Sequence, residues 1–330
     1  MNMPSAQVVA IGRFEFREMP IQPPQEDEVL IRVAVTGLCR TDLKIVRVGH
    51  RDLVLPRVPG EEVVGTVEAA GRRVRDIKPG DGVYVYPGVW CGRCPACRAG
   101  AENLCREMQI MGFHRDGGFG PYVTAPAQSV IPLPDDLAAD EAVLAEPLSC
   151  CLNALERGRL RLGENIGIWG AGPAGTLLAR AASALGARAH NIEPDRRRRD
   201  LIDGLETAGE RDFDVAVVAV GDNGAYQEAL AHLAPRGRLV VFSGLAPRDD
   251  RPAVSFNRLH YLEQTLVGAY GCCYRHGQEA LAMIADGRVP VSDMISHRLP
   301  LLKLDEALRL VETRAGMKIL LDPWQEETVA

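Results

Sequence analysis

The chain has 330 residues, of which 46% are hydrophobic and 25% charged, close to an ordinary soluble globular protein. That length suits about two domains, and the composition excludes whole-chain disorder, a collagen-like repeat and a coiled coil. Lys and Arg number 38 against 44 Asp and Glu, and the formal net charge of −6 argues against a dedicated nucleic-acid binder with its basic surface.

The first twenty residues lack the basic start and apolar centre of a signal peptide. No apolar run reaches the roughly 18 residues of a membrane helix. A cytosolic location is therefore expected. Thiols stay reduced there, and clustered cysteines bind metal more often than they pair. The chain has nine cysteines, so their spacing has to be read.

In chain order, residues 1 to about 145 are rich in Val, Gly and Pro. Residues 29–35 and 82–86 predict strands, with Pro79-Gly80-Asp81 as a turn before the second. This stretch predicts a small β-barrel or sandwich. From about 146 to 270 the pattern changes. Residues 166–169, 215–220 and 239–242 predict buried strands, and residues 174–185 predict an Ala- and Leu-rich helix. Strands alternating with helices imply a parallel α/β sheet. Helices near 277–285 and 304–312 follow, then a strand at 318–321. There is no internal repeat. The one charge block is Arg196-Arg197-Arg198-Arg199, whose plain reading is a solvated helix face.

Cys91, Cys94, Cys97 and Cys105 have the spacing C-x2-C-x2-C-x7-C. Four thiolates brought together by tight turns suit tetrahedral Zn²⁺. A bacterial ferredoxin run would end in x3 and a following Pro, whereas here x7 is followed by Arg106. A closed four-cysteine site has no open coordination position. It stabilises a lobe and supplies no catalysis by itself.

Gly170-Ala171-Gly172-Pro173-Ala174-Gly175 is a G-x-G-x-x-G run between an apolar strand and a helix. The first glycine permits a tight turn, the second lets backbone approach a pyrophosphate, and the third allows close helix–strand packing. Glu193 lies eighteen residues beyond Gly175, where a carboxylate can bind the adenosine ribose and repel a 2′-phosphate. That favours NAD. The four arginines just beyond could instead meet a 2′-phosphate, so NADP stays open. Only nineteen residues, 195–213, separate Glu193 from the next predicted strand. A complete half-fold needs more, so one strand or helix of the usual six-stranded sheet is expected to be missing.

Together these features resemble the zinc-containing medium-chain dehydrogenase/reductase family of alcohol and polyol dehydrogenases. The resemblance also rests on Gly37-Leu38-Cys39-Arg40-Thr41-Asp42, Pro59-Gly60-Glu61-Glu62-Val63-Val64-Gly65, Gly80-Asp81-Gly82-Val83, Asp116-Gly117-Gly118-Phe119 and Glu146-Pro147-Leu148. It covers nearly the whole chain, and the motifs stand in the family's order. It implies an α/β fold in two parts. A GroES-like β-rich catalytic domain spans 1–146 and 272–330, with a zinc lobe at about 88–110. A Rossmann domain spans 147–271, and the active-site groups lie where the two meet. It also implies a small alcohol or ketone substrate, a homodimer or homotetramer, and neither nucleic-acid nor membrane partners.

By position, Cys39 matches the first catalytic zinc ligand, Thr41 the hydroxyl that takes the substrate proton, and Glu62 the acid beside the second ligand. Glu146 matches the third ligand, or in the polyol branch a group acting on metal-bound water. Lys44 stands where many members carry a relay histidine. One departure is plain: the family's Gly-His-Glu is Gly60-Glu61-Glu62 here. A carboxylate can bind zinc at a similar distance. Cys39, Glu61 and Glu146 would place three formal negative charges around a divalent ion, weakening it as a Lewis acid. Three outcomes stay open: Glu61 binds zinc, Glu62 substitutes, or the catalytic metal is lost. His50 and His114 are loop histidines that could serve substrate or backbone. Cys150-Cys151 and Cys272-Cys273 read as buried packing.

The expected activity is a zinc-dependent, NAD-linked interconversion of a secondary alcohol of a polyol, sugar derivative or cyclitol with its ketone. Two rivals keep the fold. One uses Glu61 or Glu62 as acid/base in a non-standard redox or epimerisation step. The other is a nucleotide-binding scaffold without activity.

Overall fold

A computed structural model describes residues 2–199, 211–246 and 248–325. The chain divides into two compact units, Met1–Glu146 with Cys273–Ala330, and Pro147–Cys272.

In chain order the elements are β1 (Asn2–Ala10), β2 (Arg13–Pro20), β3 (Glu28–Leu38), α1 (Arg40–Arg47), β4 (Glu62–Ala70), β5 (Gly82–Val85), β6 (Gly88–Val89), α2 (Pro95–Arg98), β7 (Gln109–Ile110), β8 (Tyr122–Pro126), β9 (Val130–Pro132), α3 (Ala139–Ala142) and α4 (Ala145–Arg157). There follow β10 (Asn165–Trp169), α5 (Pro173–Ala184), β11 (Arg188–Ile192), α6 (Arg196–Arg199), β12 (Phe213–Val218), α7 (Asn223–Ala231), β13 (Leu233–Val241), α8 (Phe256–Tyr261) and β14 (Thr265–Gly268). Last come α9 (Tyr274–Ala285), β15 (Ile295–Pro300), α10 (Leu304–Thr313) and β16 (Lys318–Asp322). Every element expected from the sequence lies on one of these, with edges shifted by a few residues.

The first unit is the β-rich one. Its main sheet runs β15-β16-β3-β4-β5-β9, and β8 also pairs with β3. β3 is central, so its Val- and Ile-rich run is buried along nearly its whole length. A core of Val29, Ile31, Val33, Val63, Val67 and Val83 packs beneath it. β16 reaches this sheet from the far end of the chain, with Leu320 opposite Gly37. That pairing brings Lys318 to β3 and β4.

The second unit carries a parallel sheet in the order β11-β10-β12-β13-β14. Among the described residues it has five strands, one fewer than the usual six, and β11 pairs with β10 alone. The expected loss of a strand or helix falls between β11 and β12, where residues 200–210 lie outside the described residues. Connections leave β10 toward β11 on one side and β12 on the other. This reversal opens a crevice at the carboxyl end of β10, where ligands bind in such sheets. Gly167 sits in mid-strand because Phe213 lies against it; an added Cβ would stand 2.6 Å from the ring. Among the described residues no helix is long and apolar enough to cross a membrane.

Candidate functional site

The cysteine lobe is the most fully assembled site. β6 and β7 pair antiparallel at its base. Cys94 caps α2, Pro95 takes the first helical position, and Cys97 follows within that helix. The ligand atoms of Cys91, Cys94, Cys97 and Cys105 all lie within 4.8 Å of one another. Cys94 and Cys97 sulfurs stand 3.4 Å apart, and Cys91 and Cys97 sulfurs 4.0 Å. Tetrahedral zinc with ~2.3 Å bonds needs sulfur separations of about 3.8 Å, so the donors fit the ion. The amides of Cys91 and Glu107 donate to Cys105 Sγ at 3.4 and 3.3 Å. The amides of Cys97 and Arg106 pull Cys94 down to about 6, whereas desolvation and neighbouring thiols push Cys97 up to about 12. A divalent cation at the centre relieves that conflict by letting all four ionise.

The glycine run lies at the carboxyl end of β10, in the crevice described above. Gly170 takes φ +111°, open to glycine at no steric cost, and its amide donates to Ile192 O at 2.8 Å. Gly172 caps α5, with Pro173 at the first helical position. An added Cβ on Gly175 would run into the Gly170 carbonyl. Asn191 Nδ2 donates to the carbonyls of Gly170 and Gly175 at 3.0 and 3.2 Å, holding the loop closed. Asn191 belongs to no motif, and its only mark in the sequence is a polar residue inside a buried strand. Cys151 donates to the carbonyl of Ala174 at 3.4 Å. Gly175→Ala should weaken nucleotide binding at least about tenfold in a fluorescence titration, since the loop must open to admit the methyl. Unchanged affinity would remove the loop from the cofactor site.

Glu193 is turned inward. Oε2 accepts from the Ala171 amide at 2.9 Å and Oε1 from the Asp195 amide at 3.1 Å. The residue is 9% exposed. Its carboxylate joins the glycine loop to the turn after β11.

The third group lies in the first unit. Cys39 caps α1, and Asp42 accepts from the Cys39 amide at 2.9 Å and from its thiol at 3.1 Å. Burial pushes Asp42 up to about 6 against those two hydrogen bonds. Burial also holds the Cys39 thiol well above its usual range, and Asp42, Glu62 and Glu61 add to the effect. Glu62 is buried and forms an ion pair with Lys318, itself 2% exposed. Burial works against the Lys318 ammonium. Glu62, Cys39 and Glu146 override it and hold its pKa above the usual lysine range. In the sequence, Lys318 is a lone cation at the start of an apolar strand. Thr41 is half-buried and Lys44 exposed, three residues apart on α1.

Cys39, Glu61 and Glu146 are not gathered into a ligand set. Among the described residues, two groups have three or more ligand atoms within 4.8 Å of one another, and Cys39 and Glu61 belong to neither. Glu146 instead stands one helical turn before Cys150 on α4, and Cys150 lies within 4.8 Å of Cys272. Ser149 donates to the Cys272 sulfur at 2.9 Å. Cys39 and Glu61 thus share no such group with Glu146, and Glu146, Cys150 and Cys272 are the second set of ligand atoms that could hold an ion. His114 Nδ1 accepts from the Ile110 amide at 3.1 Å. His50 accepts from the Asp52 amide at 3.3 Å and rests edge-on against Phe113. Cys273 caps α9 and donates to Asn103 Oδ1 at 3.2 Å.

A GroES-like β unit with a four-cysteine lobe and a parallel dinucleotide-type unit define a class of zinc-containing dehydrogenase, and comparison with known proteins agrees. Residues 25–135 match the family of the alcohol dehydrogenase GroES-like domain, and residues 178–286 that of the zinc-binding dehydrogenases. The chain is 33% identical over 320 residues to the sorbitol dehydrogenase of Bacillus subtilis strain 168, spanning 89% of this chain and 90% of that protein. It is 30% identical to the L-galactonate-5-dehydrogenase of Escherichia coli K12, with 88% and 89% covered. A Sinorhizobium meliloti 1021 protein described as a zinc-binding dehydrogenase, solved bound to NADP, superposes with a TM-score of 0.88 at 27% identity, covering 98% and 100%. The chain belongs to the zinc-containing medium-chain dehydrogenase/reductase family, as an NAD(P)-dependent enzyme of the alcohol/polyol type.

Proposed function

We propose that the chain interconverts a secondary alcohol of a polyol, sugar acid or cyclitol with its ketone. The observation that carries this reading is the built dinucleotide loop, with Gly170, Gly172 and Gly175 braced by Asn191. The names of the sorbitol and galactonate relatives support the substrate class. The bound nicotinamide supplies the hydride acceptor for the carbinol carbon, and the hydroxyl proton is left for the protein to carry away.

Thr41 is the group we assign to that proton. Its hydroxyl both accepts and donates, as a relay requires. Lys44 lies three residues further along α1, on the same helix face, and is exposed. An ammonium carries donors only, so the proton leaves Thr41 to water, and Lys44 can orient that water without taking the proton itself. Glu62 is committed to Lys318, which counts against its use as a mobile acid/base. The second zinc expected at Cys39, Glu61 and Glu146 is not gathered, so no step is routed through a metal.

The test is nicotinamide absorbance across polyols, sugar acids and cyclitols with both coenzymes. Turnover on at least one polyol is expected. Thr41→Val should lower kcat by about 10²-fold or more with KM little changed. No turnover across the panel would overturn the reading, and wild-type kcat in Thr41→Val would remove Thr41 from it.

A further inference from the structure

Cys150 and Cys272 read as packing in the sequence, yet their sulfurs lie within 4.8 Å of each other. Both belong to the second unit, Pro147–Cys272. Cys150 stands on α4, and Cys272 lies in the turn that follows β14. Two further α4 side chains bind that turn. Asn153 Nδ2 donates to the carbonyls of Tyr270 and Gly271 at 3.3 and 2.8 Å, and Ser149 Oγ donates to Cys272 Sγ at 2.9 Å. Helix and turn are thus held together on either side of the two sulfurs. A disulfide needs its sulfurs about 2.05 Å apart. Side-chain rotation supplies part of that approach, and the turn supplies the rest. Gly271 takes φ +53°, and nothing lies within 4 Å of where its Cβ would stand, so the backbone before Cys272 has room to shift.

The two thiols differ in access. Cys150 is half-buried, whereas Cys272 is 4% exposed. Cys150 is therefore the thiol that a dissolved reagent meets first, and Cys272 is placed behind it. The hydrogen bond from Ser149 favours the Cys272 thiolate that a second, resolving attack requires. The next residue on α4 leads to the nucleotide loop. Cys151 is fully buried and donates to the Ala174 carbonyl at 3.4 Å, inside the glycine run. Drawing Cys150 toward Cys272 moves the helical turn that Cys151 shares, and with it a contact that positions the loop.

We propose that Cys150 and Cys272 are a redox pair: exchange with a low-molecular-weight disulfide joins them, and the new bond weakens dinucleotide binding through Cys151. The Cys150 thiolate attacks one sulfur of the small disulfide and expels one thiolate, leaving a mixed disulfide. The Cys272 thiolate then attacks Cys150 Sγ and expels the second. Two electrons pass from the cysteine pair to the small disulfide, and the two cysteine protons end on the two released thiols. The inference concerns the dinucleotide-binding unit and does not depend on the substrate class.

The test uses the intact, zinc-loaded protein, first reduced and then exposed to oxidised glutathione. Peptide mapping by mass spectrometry should find Cys150 joined to Cys272, with zinc content unchanged. NADH and NADPH, titrated by nucleotide fluorescence, should both bind about 5–100-fold more weakly after oxidation, and dithiothreitol should restore both. Cys272→Ser should stop at the mixed disulfide, with glutathione left on Cys150. In Cys150→Ser, affinities measured before and after oxidised glutathione should agree to within about threefold. A wild-type map that leaves Cys150 and Cys272 as thiols would overturn the proposal, and so would a mapped bond with coenzyme affinity unchanged. Glu146 stands one turn before Cys150 with its ligand atom in the same cluster. Loss of one zinc equivalent in Cys150→Ser would therefore overturn the proposal too, by making the pair metal ligands. A silent polyol panel alongside the mapped bond and weakened coenzyme binding would sink the substrate reading and leave this one standing.

Discussion

Lys318→Met should cost the folded chain about 3–5 kcal/mol, because it strands the Glu62 carboxylate without its cation. Both side chains are nearly fully buried, Glu62 at 1% and Lys318 at 2% exposure. Water cannot replace the lost partner. Gly37 lies directly against the Glu62 carboxylate and the Lys318 stem, where any Cβ would collide with both. The surroundings are otherwise acidic, with Asp42, Glu61 and Glu62 around Cys39. The ammonium is therefore the local counter-charge for more than one group. Chemical denaturation of wild type, Lys318→Met and the double variant Lys318→Met with Glu62→Gln measures the effect. The double variant should recover at least half of the loss, because it removes the uncompensated charge along with the pair. A single variant within about 0.5 kcal/mol of wild type would show that Glu62 takes up a proton or finds another partner at little cost.

This ion pair also shows where the sequence stops being legible. The zinc lobe is local: its four cysteines fall within fifteen residues, so spacing alone brings them together. The glycine loop is local too, and its neighbours on either side say strand and helix. Glu62 and Lys318 lie at opposite ends of the chain. Only the pairing of β16 with β3, and of β3 with β4, makes them neighbours. Family motifs single out Cys39, which stands at the start of α1. They did not show that its thiol would donate to Asp42, because that depends on whether a cation is there to take the thiolate. Glu193 is similar. Its spacing from Gly175 is readable in the sequence, and its orientation is not. Two backbone amides, one from the glycine loop and one from the next turn, decide which way the carboxylate faces.

Cys94→Ser should remove one zinc per chain and unfold the lobe, with a loss of more than about 4 kcal/mol in the β-rich unit. Serine keeps the size and loses the thiolate, so the change tests the metal and not the packing. The lobe has little else to hold it. None of the α2 side chains is buried, and β6 and β7 are two residues each. Its further ties run to the start of α9. There Cys273 donates to Asn103 and to the Gly100 carbonyl, and the Tyr274 amide donates to Glu102 at 2.8 Å. These bonds require residues 100–103 to stay in place, which the four sulfurs ensure when bridged by an ion. Elemental analysis should therefore find one equivalent fewer in Cys94→Ser, and limited proteolysis should cut between 91 and 105. Nucleotide titration should be unchanged, because the glycine loop, Asn191 and Glu193 all belong to the other unit. The same elemental analysis decides the fate of the second metal. One equivalent in wild type matches Cys39 as a helix-capping thiol. A second equivalent that disappears in Cys39→Ala would mean that Cys39 gives up Asp42 and closes on zinc when the ion is present. Full zinc content and wild-type stability in Cys94→Ser would show that the lobe is held by packing rather than by its cysteines.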